Sequence, residues 1–461
     1  MRIYLILFIV LVFSFTSKAQ RSAKLQIDSL MSIAHQRGIF NGNILVANHG
    51  KVIYEKSFGF ADAEKKIPLK KEMRFDIGSI SKEFNGAAIM LLAEHGKLSL
   101  DDELLKYFPD LPLWAKDIKI KHLINYTSGI PVLGPQFDAT DTLILKSLKN
   151  LKEIVAAPGT LYIYNHINVS LQRDIIEKVS GMSYAAFLED HIFPLADMNQ
   201  SAVDYPIASK DMARAFDEDG KNVEYAQQTK GWVRLPVRDL YKWFIALDAN
   251  KVISPESVKV LGNNFPGGES SLGTAEFLAD TLVWHQHQGS NSNYEAAFYH
   301  DRRNGVSVVM MTNNQQMKVW PLKTAIVNII NGKPFAVPKK SLYLSIRDKI
   351  LADFTKGMDY YHELKISGQD RFDFSFEIGD LISVAKYLQR RGRFDDAISV
   401  LKEAVSLPAR PQDLSYGYEI MGECFQKKNA NALALECYQN ALAKYPANKN
   451  AEGMILKLTG N

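Results

Sequence analysis

Residues 75–82 have the sequence FDIGSISK and precede a strong helical pattern at Ser81–Glu94 of the 461-residue chain. Apolar residues in that segment recur at helical spacing, and Gly96 follows as a stop signal. Ser79 and Lys82 are three positions apart, so their side chains lie on one face of the helix start. A serine hydroxyl is a poor nucleophile until a neighbour takes its proton, and a helix N-terminus favours developing negative charge. The stretch therefore predicts a strand or loop that turns into a helix at a nucleophilic serine.

The Ser-x-x-Lys spacing alone is weak support for an active site, because the chain contains it three times, at Ser79–Lys82, Ser383–Lys386 and Ser399–Lys402. The last two lie in a repetitive helical region, where solvated helix positions explain them. The first begins a helix directly after a glycine, so the sequence favours Ser79 as the reactive residue.

A second element is the loop PGTLYIYNH at residues 158–166, which leads into a helical pattern at Val169–Val179. A tyrosine beside a lysine can be pushed toward phenolate and act as a general base. Tyr164 is a candidate for this role, and a packed aromatic residue is the alternative interpretation.

A third element is WHQHQGS at residues 284–290, just before a predicted hairpin. A strand that ends in Gly289-Ser290 can present a backbone N–H toward Ser79 and complete an oxyanion hole. His285 and His287 could be metal ligands, but no carboxylate or third histidine is near them in sequence, so no metal site is predicted.

Together, and in this order, the three elements resemble the motifs of the serine penicillin-recognising enzymes. This group comprises the class C β-lactamases, the D-alanyl-D-alanine carboxypeptidases and the related esterases. The resemblance extends from about residue 30 to about residue 330 and includes IKIKHLINYTSGIP at 118–131 and the segment 230–247. It implies an α+β fold, in which helices and an all-helical insertion flank a five-stranded antiparallel sheet.

The resemblance also implies roles for the candidate residues. Ser79 would be the nucleophile, Lys82 its proton acceptor and Tyr164 the second acid/base. The implied substrate-binding and oxyanion residues are His166, His287, Gly289 and Ser290.

Two motifs depart from the family pattern. The usual Tyr-x-Asn is Tyr164-Asn165-His166, and the Lys-Thr-Gly of the β-lactamases is His287-Gln288-Gly289. Near neutral pH an imidazole is only partly cationic. A permanent positive charge for a substrate carboxylate is therefore absent, which argues against efficient β-lactam hydrolysis but not against acyl transfer.

Composition and segment boundaries indicate an exported protein with two domains. Residues 1–19 have a basic start, an apolar run at Tyr4–Phe13 and small residues at Ser17 and Ala19, as in a signal peptide, and no later segment is long enough to span a membrane. A hydrolase domain is predicted at 20–335. An all-α domain is predicted at 341–461, with tetratricopeptide-like repeats at 378–411 and 415–448 that would bind a protein partner. A net charge of 55 − 51 = +4 gives no support for nucleic-acid binding.

The sequence thus predicts an exported serine hydrolase, located in the periplasm or outside the cell, that acts through an acyl-enzyme. Its substrates would be D-amino-acid peptides or small esters, and no cofactor is implied. Two alternatives stay open. One is a catalytically degenerate scaffold whose repeats are the binding surface, and the other is a true β-lactamase.

Overall fold

The computed structural model of the protein describes residues 21–133, 140–217, 220–223 and 230–459. The predicted signal peptide at 1–19 lies outside these residues. The chain forms two compact units, one up to Val337 and the other from Pro338 onward. The division falls between the predicted limits of the two domains, residues 335 and 341.

The first unit combines helices with a large sheet and a small one. Its α-helices are α1 at 21–36, α2 (Ser81–Glu94), α3 (Leu104–Tyr107), α4 (Ile120–Ile124), α5 (Asp141–Lys149), α6 (His166–Ser180), α7 (Tyr184–His191), α8 (Val237–Asp248), α9 (Pro255–Gly262) and α10 (Val319–Ile330). Its strands are β1 (Gly42–Asn48), β2 (Lys51–Phe58), β3 (Phe75–Asp76), β4 (Ala202–Val203), β5 (Val233–Leu235), β6 (Thr274–Leu278), β7 (Thr281–Asn291), β8 (Tyr294–Asp301) and β9 (Val306–Thr312).

The large sheet has the strand order β2-β1-β9-β8-β7-β6, and every neighbouring pair is antiparallel. The N-terminal hairpin pairs with the last strand, and Gly42 of β1 lies opposite Thr312 of β9. Alternating residues predict a hairpin at 43–47 and 52–58 and another at 294–299 and 306–312, and the structure has both, as β1-β2 and β8-β9. The α+β class is confirmed. Strands β3, β5 and β4 form the small sheet.

The expected number of five strands in the large sheet is wrong, because the sheet has six. The additional strand is β6 at the sheet edge, where no side chain of Thr274–Leu278 is fully buried and the register shifts between Glu276 and Phe277. An edge strand that buries little lacks the alternation of apolar and polar residues by which strands are recognised.

Both faces of the large sheet are covered. On one face, apolar side chains of α1 and α10 pack against strand residues such as Val308 and Met310. On the other face, α2, α8 and the helical region between β3 and β6 pack against residues such as Val309 and Met311. Because both faces are covered, every residue of β9 is buried.

Helix α2 has the bounds that its sequence pattern predicts, Ser81–Glu94. The spacing of its apolar residues predicts that only one face of α2 is buried. In the structure all residues from Ser81 to Leu92 are buried. Polar side chains in this helix, such as Glu83, are therefore inside the protein and need partners there.

The second unit is helical apart from the two short parallel strands β10 (Lys340–Ser341) and β11 (Phe372–Asp373). Its helices are α11 (Leu342–Ala352), α12 (Phe354–Ser367), α13 (Glu377–Gln389), α14 (Phe394–Ser406), α15 (Pro411–Lys427), α16 (Asn431–Lys444) and α17 (Lys449–Thr459). Gly422 of α15 lies against the ring of Tyr438 of α16, so that a Cβ atom at Gly422 would be 2.8 Å from the ring. The tetratricopeptide-like assignment of these helix pairs stays a prediction. Among the described residues of both units, no helix is long and apolar enough to cross a bilayer.

Candidate active site

The turn between β3 and α2 fixes the backbone of Ser79. A 3₁₀ turn at Gly78–Ile80 precedes the helix, and Gly78 has φ of 54°, a left-handed conformation that favours glycine. Its N–H donates to Asp76 Oδ1 at 2.9 Å, and Arg234 Nε donates to Asp76 Oδ2 at 3.1 Å. Since Asp76 and Arg234 are both buried, this network holds the turn rigidly.

The structure brings Ser79, Lys82 and Tyr164 together. Lys82 Nζ and Tyr164 OH each lie 2.8 Å from Ser79 Oγ. Lys82 is 5% exposed, and its Nζ lies 5.1 Å from the centroid of the Tyr164 ring and 5.9 Å from that of Trp232. The serine hydroxyl is thus in direct contact with two groups that can accept or donate a proton.

Tyr126, in the stretch 118–131, supports the loop that contains Tyr164. Its ring contacts the Tyr164 ring, with 5.0 Å between centroids, and its carbonyl accepts a hydrogen bond from Ile163 N at 2.8 Å. Tyr126 is buried and has φ of 56°, which is unusual for a bulky residue. Backbone strain of this kind persists only where the surroundings enforce it.

Strand β7 lies directly against the turn of Ser79, at Gly289 and Ser290. A Cβ atom at Gly289 would be 2.0 Å from the carbonyl oxygen of Ile77 and 2.7 Å from Ser79 N. A Cβ atom at Gly78 would be 2.4 Å from Ser290 N. The two backbones can approach this closely because both positions, Gly78 and Gly289, lack a Cβ atom. The approach places the backbone N–H groups of Ser79 and Ser290 in the same small region.

His166 lies in the first turn of α6 and is buried. Its ring stacks on Trp232, with 5.5 Å between centroids and 14° between the planes. Burial, together with the charges of Lys82 and Arg173, holds the pKa of His166 well below its usual range. His166 is therefore neutral at physiological pH and adds no positive charge to the site.

His287 is buried as well, and its Nδ1 lies 2.7 Å from Glu83 Oε1. The same oxygen lies 3.2 Å from His285 Nε2, and Trp243 Nε1 donates to Glu83 Oε2 at 2.7 Å. Burial opposes ionisation of Glu83, but the imidazoles of His285 and His287 outweigh it and hold the pKa of Glu83 at about 2. Nδ1 of His287 is thus hydrogen-bonded to a buried carboxylate. His287 can therefore contact a substrate through Nε2 but not through Nδ1.

Glu83, Trp232 and Tyr126 are site residues that the sequence analysis did not identify. Glu83 could have been suspected as the residue next to Lys82, but nothing local indicates that its helix is buried on all sides. Among the described residues, no group of three or more His, Cys, Asp or Glu side chains is arranged to hold a metal ion.

Comparisons with known proteins agree with this architecture. The model of the family described as "Beta-lactamase" matches residues 25–328. "Penicillin-binding protein 4*" from Bacillus subtilis (strain 168) is 33% identical over 197 residues, which are 40% of this chain and 42% of that relative. The chain therefore aligns with less than half of the length of this relative.

Two solved structures have a similar fold. The octameric penicillin-binding protein homologue from Pyrococcus abyssi has a TM-score of 0.57 and 24% identity, over 71% of this chain and 81% of that chain. The D-amino acid amidase from Ochrobactrum anthropi SV3, in complex with L-phenylalanine, has a TM-score of 0.55 and 20% identity, over 67% of this chain and 97% of that chain. At these identities the similarity shows the fold and leaves the substrate open.

Proposed function

The chain belongs to the beta-lactamase family of serine hydrolases, and we propose that it cleaves ester or amide bonds through an acyl-enzyme at Ser79. The observation that carries this proposal is the contact of Lys82 Nζ and Tyr164 OH with Ser79 Oγ, each at 2.8 Å. A hydroxyl held between a lysine and a tyrosine has both a proton acceptor and a proton donor for the steps of acyl transfer.

In the first step, Lys82 takes the proton of Ser79 while Oγ bonds to the carbonyl carbon of the substrate. The carbonyl oxygen becomes an oxyanion, which the backbone N–H groups of Ser79 and Ser290 stabilise. When the oxyanion collapses, the bond to the leaving group breaks and Tyr164 gives the leaving group a proton. Lys82 then reprotonates Tyr164. In the second half of the reaction, Lys82 takes a proton from water as the water oxygen bonds to the acyl carbon. The bond between that carbon and Ser79 Oγ then breaks, Oγ takes the proton back from Lys82, and the acid is released.

We further propose that the protein is exported and acts on D-amino-acid peptides or amides, or on small esters. Export is supported by the signal-like sequence of residues 1–19. The substrate class is supported by the similarity in fold to a D-amino acid amidase and by the sequence similarity to a penicillin-binding protein.

Intact-mass spectrometry with an alkyl fluorophosphonate, which has no carboxylate, tests whether Ser79 is the nucleophile. The wild-type protein should gain the mass of one adduct, and Ser79→Ala should gain none. Ser383→Ala and Ser399→Ala are matched controls, because they remove a serine of the same Ser-x-x-Lys spacing from the helical unit. Both should label like wild type. A wild-type protein that stays unmodified, or a Ser79→Ala variant that labels fully, would contradict the proposal.

A further inference from the structure

The loop that contains Tyr164 is hydrogen-bonded on both sides of the tyrosine to one earlier segment of the chain. Before the tyrosine, Ile163 N donates to the carbonyl of Tyr126 at 2.8 Å. After it, the side chain of Asn165 donates from Nδ2 to the carbonyl of Ile130 at 2.9 Å. Tyr164 itself is 39% exposed, so packing of its own ring holds it only in part. The bonds of its two neighbours contribute the rest.

The earlier segment lies directly against the loop over several residues. The carbonyl of Thr127 accepts a hydrogen bond from Gly159 N at 2.8 Å, and the carbonyl of Gly129 accepts one from Val155 N at 2.9 Å. These are backbone bonds, which form whatever side chains are present. The bond from Asn165 is made by a side chain, so a substitution at this position can remove it alone.

Both ends of the Asn165 amide have a partner. Asn165 is 2% exposed and is the N-cap of α6, where its Oδ1 accepts a hydrogen bond from Asn168 N at 3.1 Å. An N-cap needs only an acceptor, which serine also provides. The bond to Ile130 needs a donor at the far end of the side chain, and an amide supplies both groups. The cap fixes the start of α6, and the second bond fixes the residue after Tyr164 against the earlier segment.

The proton that Tyr164 donates matters more for some leaving groups than for others. In the proposed reaction, the bond between the acyl carbon and the leaving group breaks, the Tyr164 proton moves to the leaving group, and Lys82 gives a proton back to the Tyr164 oxygen. A strongly basic leaving group such as ethoxide needs this proton, whereas 4-nitrophenolate is stable enough to leave as an anion. Misplacement of the Tyr164 hydroxyl therefore slows the two reactions unequally.

On the premise of the proposed function, we infer that Asn165 is a positioning residue that holds Tyr164 OH at Ser79 Oγ for protonation of the leaving group. The side chain of Asn165 bonds to Ile130 and Asn168, so it acts through Tyr164 and not on the substrate. The substrates that depend most on Asn165 are amides and alkyl esters, because their leaving groups are strongly basic.

Two esters with the same acyl group test this inference, ethyl butyrate and 4-nitrophenyl butyrate, with kcat/KM as the readout. Asn165→Ser keeps an acceptor for the cap but is too short to reach Ile130. It should lower kcat/KM roughly 10–100-fold for ethyl butyrate and less than about threefold for 4-nitrophenyl butyrate. Ser183→Ala is the matched control, because it removes the N-cap of α7, and it should leave the ratio of the two values unchanged.

The variant Tyr164→Phe separates positioning from a general structural role. It should show the same unequal loss as Asn165→Ser, and the double variant Asn165→Ser/Tyr164→Phe should be no slower than Tyr164→Phe alone. A residue that acts through the Tyr164 hydroxyl has no further effect once that hydroxyl is gone. If Asn165→Ser does not fold, Asn165→Asp tests the same bond, since it keeps an acceptor for the cap and has no N–H for Ile130.

Three results would overturn the inference. They are an equal loss for both esters in the Asn165 variant, a ratio that stays at the wild-type value, and a further loss in the double variant. Turnover of neither ester by wild type would instead contradict the proposed function.

Discussion

At the start of α2, Ser79 accepts hydrogen bonds from Lys82 and Tyr164, whereas the serines of the other two Ser-x-x-Lys sequences donate to their own helices. Ser383 Oγ donates to the carbonyl of Gly379 at 2.8 Å, and Ser399 Oγ donates to that of Asp395 at 3.0 Å. These are bonds to the fourth preceding residue, which serine commonly forms inside a helix.

The difference shows that position in the helix matters more than spacing. Within a helix the hydroxyl proton has a carbonyl partner one turn back, so the serine is not available to a base. The residue four positions before Ser79 is Phe75, which pairs with Leu235 in the small sheet instead of forming a turn of α2. The Ser79 hydroxyl therefore contacts Lys82 in the first turn of α2 and Tyr164 from the loop before α6.

The largest expected effect comes from removal of Lys82, with the lysines of the other two Ser-x-x-Lys sequences as controls. Lys82→Ala should lower kcat/KM on a small ester by roughly 10⁴-fold, because Ser79 loses its proton acceptor. Lys386→Ala and Lys402→Ala make the same change at the other two sequences and should stay within about twofold of wild type. Steady-state hydrolysis of a chromogenic ester measures all three variants.

The double variant Ser79→Ala/Lys82→Ala should be no slower than the slower single variant, since groups that act as one unit are not additive. Losses that multiply would mean that Ser79 and Lys82 act independently, and the contrast with the helical unit would lose its basis.

The second effect concerns two glycines. Gly289→Ala places a methyl group against the backbone of Ile77 and Ser79, so it should reduce kcat/KM by ~100-fold and destabilise the first unit by about 1–3 kcal/mol. In Gly453→Ala of α17, the added Cβ atom has no neighbour within 4 Å apart from the backbone of its own helix. This substitution should stabilise the helical unit by about 0.5–1 kcal/mol, because alanine favours a helix over glycine. Thermal unfolding and ester hydrolysis distinguish the two outcomes. Full activity in Gly289→Ala would show that the close approach of β7 is unimportant.

Patterns within a segment predicted much of the fold. The limits of α2 and both hairpins follow from apolar periodicity and turn residues, which are properties of neighbouring positions. The edge strand β6 could not be predicted in this way, because it buries too little to show a periodic pattern. The role of Glu83 was also hidden, since its partner His287 lies 204 positions away in sequence.

The third effect is a pH dependence of the stability of the first unit. Glu295 of β8 accepts a hydrogen bond from Gln288 at 2.7 Å, and burial raises its pKa to about 7. Because the folded protein favours the protonated acid, this stabilisation is complete below the unfolded pKa of ~4.5 and is lost as pH rises through 7. The loss amounts to about 3 kcal/mol.

Urea unfolding at pH 5 and pH 8 tests the Glu295 effect. All five tryptophans, Trp114, Trp232, Trp243, Trp284 and Trp320, precede Val337, so their fluorescence follows the first unit. The free energy of unfolding of Glu295→Gln should depend less on pH than that of wild type. Identical pH dependences would show that Glu295 does not titrate in this range.

The smallest effect concerns the tyrosines beside the two lysines. Tyr164 and Tyr416 are both 39% exposed, and Lys386 Nζ donates to Tyr416 OH, so exposure and a lysine neighbour do not distinguish them. What differs is the support from Tyr126, whose ring and carbonyl hold the Tyr164 loop. Tyr126→Leu should therefore lower kcat by about tenfold with little change in KM, because Tyr164 OH is less often placed on Ser79.

Tyr126→Phe keeps the ring and the backbone carbonyl and should retain activity within about twofold of wild type. Tyr416→Leu removes the tyrosine next to Lys386 and should have no effect on hydrolysis. The measurement is kcat and KM for one ester with all three variants. If Tyr126→Leu raises KM and leaves kcat unchanged, the ring contacts the substrate and does not position Tyr164, and the contrast between the two tyrosines needs another cause.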